Sequence, residues 1–151
     1  MIMQLKKERE NAMSAEENKA KIRRIFEEAI EKGNLSVVDE IMASNYVFHM
    51  PGQDIKGPEG FKEFVKMFRT AFPDMKATIE EQIAEGDKVA NRETIRGTHK
   101  GDFMGVAATG KQVTFSSMVF VHFQGDKEVE AWGSPDMLGL FQQLGVTPPS
   151  G

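Results

Sequence analysis

Residues 111–123 read Lys-Gln-Val-Thr-Phe-Ser-Ser-Met-Val-Phe-Val-His-Phe. Taken alternately, Val113, Phe115, Ser117, Val119, Val121 and Phe123 fall on one face, and Thr114, Ser116, Met118, Phe120 and His122 on the other. That period of two is the signature of a β-strand. A sheet with one wet side should be apolar on one face and polar on the other. Here both faces carry large apolar groups. One face is therefore expected to meet helices and a cavity, and the other a second copy of the chain, making a homodimer.

Toward the N-terminus the period changes. Ile22, Ile25, Phe26, Ala29 and Ile30 recur at helical spacing, and Gly33 stops that helix. Ser14 with Glu17 forms a capping pattern, which places the helix start there and leaves 1–13 as a flexible lead-in. A short helix follows from Asn34 with Leu35, Val38, Ile41 and Met42 on one side, then a strand, Tyr-Val-Phe-His-Met, ended by Pro51 and Gly52. Gly57-Pro58-Glu59 opens a third helix whose stripe is Phe61, Phe64, Val65, Phe68 and Phe72. Strands are expected near 76–84, 88–99 and 111–123, with a fourth ending near Trp132, then a last helix from Met137 and a tail at 148–151. Helices first and meandering strands after predict an α+β domain over 14–147, with helices against one face of a curved antiparallel sheet.

Composition narrows the function. The chain has 151 residues, enough for one domain with a real core. It has no cysteine, which removes disulfides, thiolate catalysis and most zinc sites, and agrees with a cytoplasmic location. The net charge is −4 with bases dispersed among acids, so no nucleic-acid-binding face is readable. No apolar run approaches the roughly 20 residues of a membrane span. The three histidines form neither His-x-His nor His-Glu-x-x-His, so no metal site is expected. The glycine-rich loop 100–111 lies between strands with no helix after it, so it is not a phosphate cradle.

Phe72-Pro73-Asp74, Glu85-Gly86-Asp87, Gly97-Thr98-His99 with Phe103 and Gly105, Thr109-Gly110-Lys111, and Trp132 with Asp136 before Gln143-Leu144-Gly145 occur in that order. In this order and spacing the chain resembles the SnoaL-like polyketide cyclases, or ester cyclases, of the nuclear-transport-factor-two-like superfamily, over roughly 14–147. The resemblance implies a cone-shaped α+β fold, usually dimeric, around a pocket for a small apolar organic ligand. It also implies intramolecular aldol chemistry without metal or cofactor. By the same resemblance Asp136, in the tryptophan-x-x-x-aspartate position, is the acid/base and His99 its polarising partner. His49 and Trp132 are then expected at the pocket, with Phe48, Phe64, Phe68, Phe103, Met104 and Phe115 as apolar lining.

Each of these residues has a second reading. Ser134-Pro135-Asp136 suits the first turn of the last helix, where an acid gains roughly 0.3–1 kcal/mol from the helix dipole. His99 beside a long loop is either a pocket-edge group or one bonded to loop backbone. His49 in an apolar run is either structural or a cavity residue, and His122 reads as structural. Arg92 and Arg96, on one strand face with Thr94 and Thr98, are expected to pair with neighbouring glutamates. A non-catalytic binding protein with the same pocket is the alternative to an enzyme. Epoxide hydrolysis is a weaker one, since no aspartate–arginine–aspartate set is present.

Overall fold

The computed structural model describes residues 1–147; the expected tail at 148–151 lies outside them. Helix α1 spans Ile2–Arg24 and runs on as a wider π-helical segment, Ile25–Glu31. The expected start at Ser14 is passed without a break. Gln4 to Glu10 are almost all strong helix formers, so propagation continues through the capping pattern. Residues 1–14 remain solvent-exposed all the same.

Helix α2 (Ser36–Ile41) leads into strand β1 (Met42–Met50), and a tight turn at Pro51-Gly52 into strand β2 (Gln53–Lys56). Helix α3 (Gly57–Ala71) follows, with proline in its first turn as expected. The rest is β3 (Lys76–Glu85), β4 (Lys88–Thr98), β5 (Gln112–Gln124), β6 (Lys127–Pro135) and helix α4 (Met137–Leu144).

The six strands form one sheet in the order β2-β1-β6-β5-β4-β3. It is not wholly antiparallel, because β1 lies parallel to β6, with Phe48 opposite Ala131. The meander β3-β4-β5-β6 is antiparallel throughout, and β2 folds back on β1 as a four-residue edge strand. β2 escaped the sequence reading because Gln53-Asp54-Ile55-Lys56 is too short and polar to show a period.

Along β5, the residues of the Val113 face are shielded and those of the Thr114 face are mostly exposed. The shielded face supplies two contiguous clusters. One gathers α1, α2, α3, β1 and the middle of the sheet around Ile22, Val37, Ile41 and Phe61. The other, around Phe72, Phe103, Leu140 and Phe141, seals the opposite end beneath α4. Gly145, at φ 77°, ends α4 in the left-handed conformation that favours glycine.

Two of the motifs singled out in the sequence meet here. The Asp74 carboxylate accepts hydrogen bonds from the backbone N–H and hydroxyl of Thr98, both at 2.7 Å. These bonds hold its pKa below the usual carboxylate value. Gly97 lies so close to Phe72 that an added Cβ would stand 3.0 Å from the Phe72 Cβ. The Phe-Pro-Asp and Gly-Thr-His segments are thus a clamp between the end of α3 and the end of β4.

Candidate functional site

A partly enclosed cavity of about 120 Å³ lies between the inner sheet face and helices α1 and α3. Its walls are mostly aliphatic and aromatic, with Phe48, Phe64, Phe68 and Phe115 among them. The aromatic rings pack edge to face: Phe48 and Phe64 have centroids 5.7 Å apart at 85°. Gly133, on β6, keeps the wall open. A Cβ there would stand 2.7 Å from the tip of Phe48 and 2.8 Å from the Met50 sulfur.

The polar groups of this lining are few: Tyr46, Asn91, Glu93, Ser117 and Glu128. Glu93 and Asn91 lie two residues apart on the inward face of β4, and Ser117 is opposite Glu93 on β5. The Glu93 side chain is buried and its Oε1 has no hydrogen-bond partner. Among the described residues no cation stands beside it, and desolvation pushes its pKa up to about 8. The carboxyl is predominantly protonated at neutral pH.

Glu128 is also pushed up to about 8 by burial, and its charge in turn disfavours ionisation of the buried Tyr46 phenol, already opposed by desolvation. Its inward direction comes from an irregularity. His122 pairs with Glu130, but the next residue, Phe123, pairs with Glu128, so β6 carries an extra residue, Val129, at a bulge. The bulge shifts the alternation, so Glu128 faces the cavity although strict counting from Ala131 would send it outward. Glu128 faces Phe123, six residues along β5 from Ser117, roughly 20 Å by strand rise. The two carboxyls therefore stand too far apart along the sheet to share one proton.

The residues singled out from resemblance divide. Asp136 is exposed; its carboxylate caps α4, accepting from the Gly139 N–H at 2.9 Å. It does not line the cavity, whereas its neighbour Pro135 does. The reason is local. An aspartate at the N-cap satisfies an otherwise orphaned backbone donor, and the absent side chain of Gly139 leaves the room it needs. His99 is fully buried yet is also outside the lining, its ring 5.5 Å from that of Phe72 and tilted to it by 33°. Its Nδ1 accepts from the Thr109 backbone N–H at 3.2 Å, which places the ring proton on Nε2 when the imidazole is neutral. That Nε2 has no partner.

The loop after His99 is not suspended over the cavity. The N–H groups of Lys100 and Gly101 donate to the Ala71 carbonyl at the end of α3, and Phe103 is fully buried in the second cluster. Met104, at φ 47°, is exposed at the tip of that loop. His49 and Trp132 occupy the outer sheet face, stacked at 5.3 Å. Thus Met104, His49 and Trp132 lie away from the lining, and Phe103 stands behind it, its ring 5.2 Å from that of Phe68.

Asn91, Glu93 and Glu128 were missed from sequence for different reasons. The Arg92–Arg96 face of β4 was read, and its complement, Val89, Asn91, Glu93 and Ile95, carried the signal: two polar groups in an otherwise apolar row. Glu128 had no readable signal, because the bulge is a property of pairing.

Comparison with known proteins agrees with this architecture. The family model described as SnoaL-like polyketide cyclase matches residues 20–144. Aklanonic acid methyl ester cyclase DauD of Streptomyces sp. (strain C5) is 29% identical over 136 residues, covering 85% of this chain and 82% of its own. Among solved structures, a candidate polyketide cyclase from Acidithiobacillus ferrooxidans superposes with TM-score 0.74 at 32% identity, over 85% of this chain and 94% of the other. A candidate SnoaL-like cyclase from Jannaschia sp. CCS1 reaches TM-score 0.81 at 22% identity, over 89% and 95%, a likeness of fold. With a helix-covered sheet closed on an apolar hollow and a match running through nearly every element, the chain belongs to the SnoaL-like polyketide cyclase family.

Proposed function

We propose that this protein enolises a small apolar carbonyl compound in the cavity and uses the enolate to close a ring, with Glu93 as the acid and base. One observation carries the reading: a carboxyl on β4, buried in an apolar hollow, whose Oε1 has no partner among the described residues. Its pKa near 8 makes it a much stronger base than an exposed glutamate, while the protonated form is plentiful at pH 7. Ionised Glu93 takes a proton from the carbon beside the carbonyl. The C–H pair becomes the enolate C=C, and the carbonyl π pair moves to oxygen. Attack on a second carbonyl of the same molecule forms the ring bond, and protonated Glu93 returns its proton to the new alkoxide.

The related cyclase named above supports a polyketide ester as the substrate type. The cavity supports a modest reacting portion. An apolar hollow of about 150 Å³ holds a benzene, and this one is about 120 Å³. One ring's worth of substrate is enclosed, and a larger molecule extends beyond it.

The test is uptake of deuterium from D2O at the α-carbon of aryl ketones and β-keto esters, followed by NMR. Wild type should accelerate exchange with a rate that rises through about pH 8. Glu93→Gln should lower it by roughly 100-fold or more, a typical share for acid/base catalysis. Asp136→Asn, which preserves the cap, should stay within about threefold. Exchange no faster than in buffer, together with saturable ligand binding, would point to a binding protein instead. A Glu93→Gln enzyme as fast as wild type would remove Glu93 from the mechanism.

We further propose a homodimer through the outer sheet face, where Met118, Phe120 and Trp132 stand 61%, 42% and 42% exposed. A monomeric mass by light scattering at micromolar concentration would contradict it.

A further inference from the structure

Asn91 is buried and lines the cavity, yet its side-chain Nδ2 has no partner. Leaving a buried donor unpaired is unfavourable, because the group loses its water partners and gains none. The cost here is imposed by a chain of bonds reaching to the surface. The exposed Arg23 of α1 donates from Nη1 to Gln82 Oε1 at 2.7 Å, and Gln82 Nε2 donates to Asn91 Oδ1 at 2.9 Å. Gln82 Nε2 also lies 3.3 Å from the Lys19 carbonyl.

A guanidinium can only donate, so the Gln82 oxygen must face it. The Gln82 nitrogen is then committed to Asn91, which must answer with its own oxygen. Its NH2 is left as the free end. The amide orientation is therefore fixed by hydrogen-bond logic rather than chosen.

We infer that the Asn91 NH2 is the donor that receives the substrate's carbonyl oxygen and the enolate oxygen formed from it, and that Arg23 and Gln82 are its positioning residues. This rests on the cavity being the enolising site. Asn91 and Glu93 are same-face neighbours on one strand, about 7 Å apart at Cα. A carbonyl oxygen accepting from the first, with the adjacent α-carbon against the second, fits between side chains so spaced. A preset donor aimed where negative charge develops needs no reorganisation during the reaction. The ligand it selects is a neutral ketone or ester carbonyl; an ammonium or alkyl group would leave the donor unmatched.

Acetophenone labelled with ¹³C at the carbonyl, a single-ring ketone, is the probe. Its bound infrared C=O band should lie below its position in hydrocarbon. Asn91→Leu should return the band to the hydrocarbon position and weaken binding roughly tenfold, the worth of one hydrogen bond. Gln82→Glu is the sharper variant. The introduced carboxylate still accepts from Arg23 but cannot donate, so Asn91 should turn its NH2 toward it and present oxygen to the cavity. The band shift should vanish although Asn91 is intact and the fold, checked by thermal unfolding, is unchanged. Glu93→Leu should keep the shift while abolishing exchange, which separates this inference from the role of Glu93. An Asn91→Leu or Gln82→Glu band matching wild type overturns the inference. So does a wild-type band at the hydrocarbon position, or no saturable binding of the ketone.

Discussion

The two faces of the sheet treat carboxyl groups in opposite ways. On the outer face, Asp54 and Glu130 flank His49, at 2.8 Å from Nδ1 and 2.7 Å from Nε2, Glu81 meets Arg92, and Asp87 meets His122. On the inner face Glu93 and Glu128 are buried with desolvation as the sole cause of their raised pKa values. The same side-chain chemistry thus gives solvated ion pairs on one side and neutral acids on the other. Outer pairs in water are worth little to stability. Inner acids cost stability and gain reactivity, as is common at sites that do chemistry.

The largest test of that contrast is pH. Unfolded, Glu93 and Glu128 lose their protons near the ordinary value of 4.5; folded, they hold them to about 8. The folded chain therefore binds more protons between these limits, so this contribution is full below about 4.5 and declines as pH rises through 8. At about 1.4 kcal/mol per unit, the pair should cost several kcal/mol between pH 5 and 9. Urea unfolding across that range should show the decline, and Glu93→Gln with Glu128→Gln should flatten it. A flat wild-type profile would break the contrast.

A smaller effect concerns the wall between the faces. Gly133→Ala should destabilise the protein by about 1–3 kcal/mol through overpacking against Phe48 and Met50, and reduce the space for acetophenone. Next, Asp136→Ala should cost about 1 kcal/mol in thermal or urea unfolding, through loss of the α4 cap. The smallest change is on the outer face. Hydrogen bonds donated by the ring to Glu130 first and Asp54 second raise the His49 pKa above 6.5. In an NMR titration Glu130→Gln should lower it more than Asp54→Asn. The contribution of these bonds to stability is present below about 6.5 and fades as pH climbs through the raised value.

Much of the fold was legible because periodicity is a local signal. The phenylalanine stripe of α3, the alternation of β5 and the glycine after α4 each appear where the sequence places them. Strand pairing was not legible: nothing in Tyr46 to Met50 announces that β1 runs parallel to β6. The site was legible in part. Phe48, Phe64, Phe68 and Phe115 follow from an amphipathic helix and two strands facing one hollow. The acid/base expected at Asp136 rested on resemblance, while its own residues, after Ser134-Pro135 and before Gly139, already described a helix cap. Asn91's orientation lay beyond reach, since it depends on an arginine 68 positions earlier acting through Gln82.

The extra residue in β6 acts like a frameshift in a two-letter code. From Glu130 onward the strand alternates outside and inside, and across Val129 the phase changes so that Glu128 is buried. Aligning a relative that lacks this insertion, column by column through Lys127–Glu130, would match interior groups with exterior ones. The floor of the hollow then has to be traced backward from Ala131 with the skipped position removed. A comparison that omits that correction would record Glu128 as a surface acid, although it is buried.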